Sequence, residues 1–209
     1  MFVKKDMVLI NCIDNVRLRL MKKILPLIFL FFFNCSYAEL IIDEWGEESF
    51  LDDIIIVSVN GHVTAGDRYR LFFRPLSEER CNQPDSYISF YSVVDDAVEK
   101  FNNLPSKYIV ANINDDETFL ARIEDSGEFI AGARVLIFMG TISTENLIGY
   151  HKGKDQIKIQ LIAFYDYEEK TYHPEKIDDY FDIPVNTWSL NGFEDAVTSA
   201  KNKCLASVG

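Results

Sequence analysis

The stretch IIIVSVNGHVTAGDRYRLFFR, residues 54–74, carries the clearest structural signal in the chain. Residues 54–59 form an apolar run rich in β-branched side chains, and Asn60-Gly61 follows directly. Asn-Gly at such a position is typical of a type I′ hairpin turn, because both central residues of that turn need positive φ. The sequence therefore predicts a tight β-hairpin centred on Asn60 and Gly61.

Residues 67–74 of the same stretch alternate between apolar and basic side chains. This period indicates a strand with one buried face, formed by Tyr69, Leu71 and Phe73. The opposite face is suited to an anionic ligand held by forked hydrogen bonds, or to ion pairs with acids on neighbouring strands such as Glu124. The candidate binding residues on that face are Arg68, Arg70 and Arg74.

Residues 129–142 are strongly apolar and are interrupted by Gly132 and Gly140. The pattern predicts a central strand covered on both faces, with the glycines marking bulges or a close backbone approach. Residues 125–127 predict a turn before this strand, and residues 143–155 predict a loop after it.

The last predicted element is an amphipathic helix. Asn191 followed by Glu194 indicates its N-terminal cap. In an oxidising compartment, the inward-facing Cys204 and the loop residue Cys81 would form a disulfide. The apolar face is formed by Phe193, Ala196, Val197, Ala200 and Cys204, which recur at spacings of three and four.

Many short strands, one central helix and this terminal helix together predict a mainly β, α+β domain. The expected architecture is an antiparallel β-sandwich or curled sheet with a C-terminal helix packed on it. A ferredoxin-like α+β sheet is the alternative.

Residues 21–38 read as a cleavable secretory signal. Lys22 and Lys23 precede an apolar run over residues 24–33, and Ser36 and Ala38 provide the small residues of a cleavage site. The apolar run is too short to span a bilayer, which takes about 20 helical residues. We therefore expect a periplasmic or secreted protein with no membrane span after cleavage.

The signal also sets the predicted domain boundaries. Met21 is the expected initiator, residues 1–20 are an upstream extension that is untranslated or disordered, and residues 39–209 form a single globular domain. Of the 21 lysines and arginines, six precede Glu39, and of the 33 acidic residues, two do. The remaining 15 basic and 31 acidic residues give a net charge of −16, which disfavours nucleic acid and anionic lipid and favours basic partners.

The sequence contains few residues suited to catalysis. The three histidines, His62, His151 and His173, do not stand at metal-ligand spacing, and no Cys-x-x-Cys occurs. We therefore predict no metal, no cofactor and no assigned catalytic residue. The enzymatic alternative is a small hydrolase that uses dispersed carboxylates with His62 as base, oriented by Asp67.

The segment WSLNGF, residues 188–193, with Ala196 just beyond it, resembles the Leu-x-Gly-Phe ending of the invasion-associated locus B family of exported bacterial proteins. The resemblance is confined to this ending. It therefore implies no activity and no site residues for the rest of the chain.

Export, one small domain and a strongly acidic composition favour one functional hypothesis. We expect a non-enzymatic binding protein that engages a protein partner, basic in character, through an acidic surface. An inhibitor or immunity protein is one concrete form. The anion-binding module built on Arg68, Arg70 and Arg74 is a further alternative.

Overall fold

Ten strands join into one antiparallel sheet in the computed structural model, which describes residues 44–51, 54–64, 66–104, 106–130 and 132–208. The strand order is β1-β2-β3-β4-β7-β6-β5-β8-β10, and β9 also pairs with β8. The strands are β1 (Gly46–Leu51), β2 (Ile54–Asn60), β3 (Arg68–Phe73), β4 (Asp85–Ser92), β5 (Tyr108–Ile113), β6 (Glu117–Phe129), β7 (Gly132–Thr141), β8 (Gln156–Asp166), β9 (Thr171–Lys176) and β10 (Val185–Ser189).

The predicted signal peptide (residues 21–38), the upstream extension (residues 1–20) and the predicted domain start at Glu39 lie outside the described residues. The described part of the chain belongs to one unit, Ile41–Gly209. None of its helices is both long enough and apolar enough to cross a membrane.

The sheet curls until its two ends meet. Gly61, directly after β2, forms an isolated antiparallel bridge with Trp188 of β10. The His62 amide nitrogen also donates to the Thr187 carbonyl oxygen at 2.8 Å. The structure thus confirms the predicted mainly β, α+β fold, with a curled antiparallel sheet rather than a ferredoxin-like one.

The core lies on the inner face of this curled sheet. Tyr69, Leu71 and Phe73 are at most 2% exposed, which confirms the alternation predicted for β3. Trp188 is fully buried, and its ring meets that of Tyr69 edge to face at 6.3 Å. Trp45 links these rings to the C-terminal helix, because its ring lies 5.3 Å from that of Tyr69 and 4.9 Å from that of Phe193.

In the described part of the chain, four α-helices connect or cover the strands, and two of them carry the disulfide. Cys81 and Cys204 are bonded across 123 residues of sequence, as predicted. In the chain-entropy model a bridge of this span stabilises the fold by about 4–5 kcal/mol. The helices are α1 (Glu78–Asn82), α2 (Ala97–Asn102), α3 (Thr144–His151) and α4 (Phe193–Ser207).

The predicted turn at Asn60-Gly61 is wrong, although β2 and β3 do pair. Asn60 lies opposite Arg68, so the connection is the longer segment 61–67. A Cβ atom at Gly61 would lie 2.4 Å from Nδ2 of Asn186. Gly61 therefore serves the close approach of β10 rather than a turn with positive φ.

Three other local predictions are wrong. The segment predicted as a loop after β7 contains α3, whose cap is the Ser143 hydroxyl, an acceptor from the Asn146 amide at 3.3 Å. The cap of α4 is Gly192, with φ of 70°, rather than Asn191. β6 continues through the predicted turn at residues 125–127 and ends at Phe129.

Candidate functional site

The structure divides the three candidate arginines of β3 between two ion-pair clusters. Arg68 Nη1 lies 2.9 Å and Arg70 Nε 3.2 Å from the same oxygen, Oε1 of Glu48. The Ser58 hydroxyl also donates to Glu48. Burial raises the pKa of Glu48, but the Ser58 hydrogen bond and the charges of Arg70 and Arg68 outweigh burial, so the pKa lies below its ordinary value.

Arg74 belongs to the second cluster, around the buried Asp85. Arg74 Nε and Arg80 Nη2 lie 2.9 and 3.0 Å from Oδ2 of Asp85. The Thr141 hydroxyl donates to Oδ1 at 2.9 Å. Glu124, the acid considered as a strand partner, pairs with Arg122. An anionic ligand would have to displace Glu48 or Asp85, and binding by the β3 arginines stays a prediction.

A buried polar network joins the two ends of the sheet, and we call it the seam. It consists of the hydrogen-bonded side chains of Asp67 and Asn186, together with Gly61 and Trp188, which pair through their backbones. Asp67 is 1% exposed, and its Oδ1 accepts from the Tyr91 amide at 2.6 Å. Its Oδ2 accepts from Nδ2 of Asn186 at 2.7 Å. The carboxylate thereby ties the 61–67 connection to β4 and β10.

Asn186 completes the seam from the β10 side. It is fully buried, and its Oδ1 accepts from the amides of Val63 at 2.9 Å and Thr187 at 2.7 Å. Its Nδ2 also donates to the Thr64 carbonyl at 3.2 Å. This role could not be predicted from the sequence, because Asn186 of β10 lies 119 residues from Asp67.

The pKa of Asp67 is raised to about 7. Burial is the largest cause, and the charge of Asp182 acts in the same direction. The hydrogen bonds from Asn186 and Tyr91 oppose the shift. Both oxygens of Asp67 accept hydrogen bonds that join the 61–67 connection to β4 and β10, and its role in orienting His62 stays a prediction.

The three histidines lie in different surroundings. His62 is exposed in the 61–67 connection, whereas His151 at the end of α3 is 4% exposed. His173 of β9 pairs with Glu175. Within the described ranges, no group of three or more histidine, cysteine or acidic side chains is placed to hold a metal ion.

A surface groove of about 720 Å³ lies between the start of α2 and the β6–β7 connection. We call it the acidic groove. Its walls combine exposed aliphatic side chains with carboxylates. The lining residues with exposed side chains include Val93, Asp95, Asp96, Glu99, Glu128 and Ile130.

Ile130 stands out in this groove because its side chain is 92% exposed and its φ is 55°. A β-branched residue in the left-handed region is a backbone outlier that costs roughly 1–2 kcal/mol. Asp96, on the opposite wall, has φ of 57°. The sequence prediction placed Ile130 inside a central strand, whereas the chain reverses between β6 and β7 there.

Comparison of the chain with protein-family models, with curated proteins and with solved structures finds no match. The function must therefore be argued from the geometry of the surface.

Proposed function

We propose that this domain is an exported binding protein, without catalytic activity, that engages a basic segment of a protein partner through the acidic groove. The observation that carries the proposal is the composition of the groove, whose lining includes four exposed carboxylates and two exposed aliphatic side chains. The carboxylates are Asp95, Asp96, Glu99 and Glu128, and the aliphatic side chains are Val93 and Ile130.

The charge of the groove supports a basic occupant. No described residue forms an ion pair with any of these four carboxylates, in contrast to Glu48 and Asp85. Their charges therefore add to a domain that already carries a large negative surplus. Such a field accelerates association with a positively charged partner and discriminates against acidic ones.

The aliphatic side chains supply what charge alone does not. Val93 is 50% and Ile130 is 92% exposed, and exposed apolar side chains rimmed by polar groups are typical of protein interaction sites. Burying such side chains on binding contributes affinity, while the carboxylates contribute specificity and rate. An inhibitor or immunity protein for a basic toxin or enzyme would use a surface of this kind.

The strained backbone at Ile130 fits the same role. A glycine would be the ordinary choice at φ of 55°, yet the chain keeps a large aliphatic residue there and points it to solvent. Strain of this kind is concentrated at binding sites, where the surrounding structure maintains it.

The proposal is tested by capture from bacterial envelope extract on the immobilised protein. We expect a partner retained at low ionic strength and released at high ionic strength, because exposed charges are screened by salt. The charge-reversal variant Glu99→Lys/Glu128→Lys should lose this partner. Asp155→Lys/Glu145→Lys, which reverses two exposed acids outside the groove and changes the net charge by the same amount, is the matched control and should retain it.

Two results would contradict the proposal. One is the absence of any salt-sensitive partner. The other is equal loss of binding in the groove variant and in the Asp155→Lys/Glu145→Lys control, which would assign the interaction to net charge and not to the groove.

A further inference from the structure

Three tyrosines lie side by side on neighbouring strands. Tyr108 of β5 is opposite Tyr165 of β8, which in turn is opposite Tyr172 of β9. The adjacent Ile109 and Phe164 are buried in the core, so alternation places the tyrosines on the outer face of the sheet. The outer face is the side of the sheet opposite the core.

A fourth tyrosine, Tyr167, follows β8 and completes what we call the tyrosine cluster. Its ring stacks on that of Tyr108 with centroids 5.0 Å apart and 26° between planes. The Tyr165 and Tyr172 rings meet at 5.9 Å and 81°. Tyr167 is 58% and Tyr172 62% exposed, so ring surface remains available to a ligand.

The turn that joins β8 to β9 adds negative charge beside these rings. Residues 166–170 contain three acids and one lysine. Oδ1 of Asp166 accepts from the amides of Glu168 and Glu169, each at 2.9 Å, which fixes the turn. The side chains of Glu168 and Glu169 are exposed. Arg122, opposite Tyr108 on β6, is paired with Glu124 and adds no net charge.

Aromatic faces already bind cations elsewhere in this protein. Lys154 Nζ lies 3.9 Å from the ring centroid of Tyr150, and Arg134 Cζ lies 4.8 Å from that of Phe129. The face of an aromatic ring is electronegative, and several rings together recognise alkylammonium groups. Exposed tyrosine rings in a segment that also carries exposed carboxylates are therefore complementary in charge to an organic cation.

We propose that the tyrosine cluster is a binding site for an organic cation, an alkylammonium or guanidinium group. The rings of Tyr167 and Tyr172 contact the cation, and Glu168 and Glu169 attract it. A free small cation and a lysine or arginine side chain of a partner present the same chemistry. None of these residues lines the acidic groove, so this proposal does not require the groove to bind a partner.

The test follows the tyrosine ring resonances of the full chain by NMR during titration with choline. Its neutral isostere, 3,3-dimethylbutanol, is titrated in parallel. We expect saturable shifts at the tyrosine cluster with choline, on the order of 1 mM in affinity, and weaker ones with the isostere. Tyr167→Leu and Tyr172→Leu should each weaken choline binding about fivefold, whereas Tyr172→Phe, which keeps the ring, should not.

Tyr150→Leu, at a tyrosine already covered by Lys154, is the matched control and should leave choline binding unchanged. A second arm uses N-acetylarginine amide and N-acetyllysine amide. Tighter binding of these amides than of choline assigns the site to a partner's side chain, and the reverse assigns it to a free cation. Equal response to choline and its isostere, or retained binding in both leucine variants, would overturn the proposal. Partner capture by the acidic groove is unaffected by either result.

Discussion

Carboxylates have opposite surroundings at the seam and in the acidic groove. At the seam, Asp67 is buried, and each of its oxygens accepts a hydrogen bond. In the groove, exposed acids such as Glu99 and Glu128 have no ion-pair partner among the described residues, and Ile130 projects into solvent. At the seam, the side chains of Asp67 and Asn186 hold the two ends of the sheet together, whereas the polar and apolar side chains of the groove are exposed to solvent.

This difference separates the two kinds of acid in a chain that contains 33 of them. A buried carboxylate must be fully hydrogen-bonded, since an unpaired polar group in the interior destabilises the fold. Exposed acids beside exposed aliphatic side chains have no such role. The acidity of the chain is therefore not by itself evidence of a site, and the structural surroundings of each carboxylate decide its role.

The largest effect is expected at the seam. Asn186→Ala removes four hydrogen bonds and leaves Asp67 with one fewer donor in a buried position. We expect the free energy of unfolding to fall by about 3–4 kcal/mol, measured by urea denaturation. Asn146→Ala, at an exposed side chain of α3, is the control and should change it by less than about 0.5 kcal/mol.

A loss below about 1 kcal/mol at Asn186 would break the comparison. It would mean that the ends of the sheet are held together by packing around Trp188, with the polar network contributing little.

The sequence predicted the local parts of this fold better than the contacts between its ends. The alternation of Tyr69, Leu71 and Phe73 alone predicts a half-buried strand. The spacing of apolar residues in α4 predicts that Cys204 points inward. Both signals are local. The seam pairs Gly61 with Trp188, 127 positions away, and no periodicity or spacing in the sequence predicts this contact.

The candidate sites show the same limit. The arginines of β3 were recognisable as a cluster, but their division between Glu48 and Asp85 depends on which strands are neighbours. The exposure of Ile130 could not be predicted, because an isoleucine in an apolar stretch favours a strand. Its φ of 55° arises from the chain reversal between β6 and β7. The tyrosine cluster, likewise, exists only through the register of β5, β8 and β9.

A buried histidine extends the comparison, because its ring is 4% exposed but incompletely hydrogen-bonded, unlike the side chain of Asn186. Nδ1 of His151 has no hydrogen-bond partner among the described residues, and the ring lies edge to face on Phe193 at 4.9 Å. Burial, aided by the charge of Lys154, lowers the pKa of His151 from 6.5 to about 4. The folded state therefore keeps this ring neutral in a range where the unfolded chain takes up a proton.

The stability contributed by neutral His151 is fully present above pH 6.5 and is lost as the pH falls towards 4. We expect the difference in unfolding free energy between the wild type and His151→Leu to change by about 2–3 kcal/mol over this range, in favour of the variant at low pH. Urea denaturation at several pH values measures it. Parallel pH profiles for the two proteins would show that His151 is hydrated or partnered in the folded state.

The smallest expected change in stability is also the one that most directly separates a binding surface from a structural one. Ile130→Gly relieves the left-handed strain of roughly 1–2 kcal/mol and loses no buried surface, since the side chain is 92% exposed. The greater freedom of glycine in the unfolded chain offsets part of this gain. We expect the variant to be more stable by about 0.5–1 kcal/mol and to bind the groove's partner about tenfold more weakly.

Lys170→Gly is the matched control, because Lys170 is exposed, has φ of 54° and lies outside the acidic groove. It should gain similar stability and keep the groove's partner. If Ile130→Gly were destabilising, the side chain would belong to the fold, like Asn186. If it were stabilising and still bound its partner fully, the strain would have no connection with binding. Only a gain in stability together with a loss of binding would show that Ile130 serves binding and not folding.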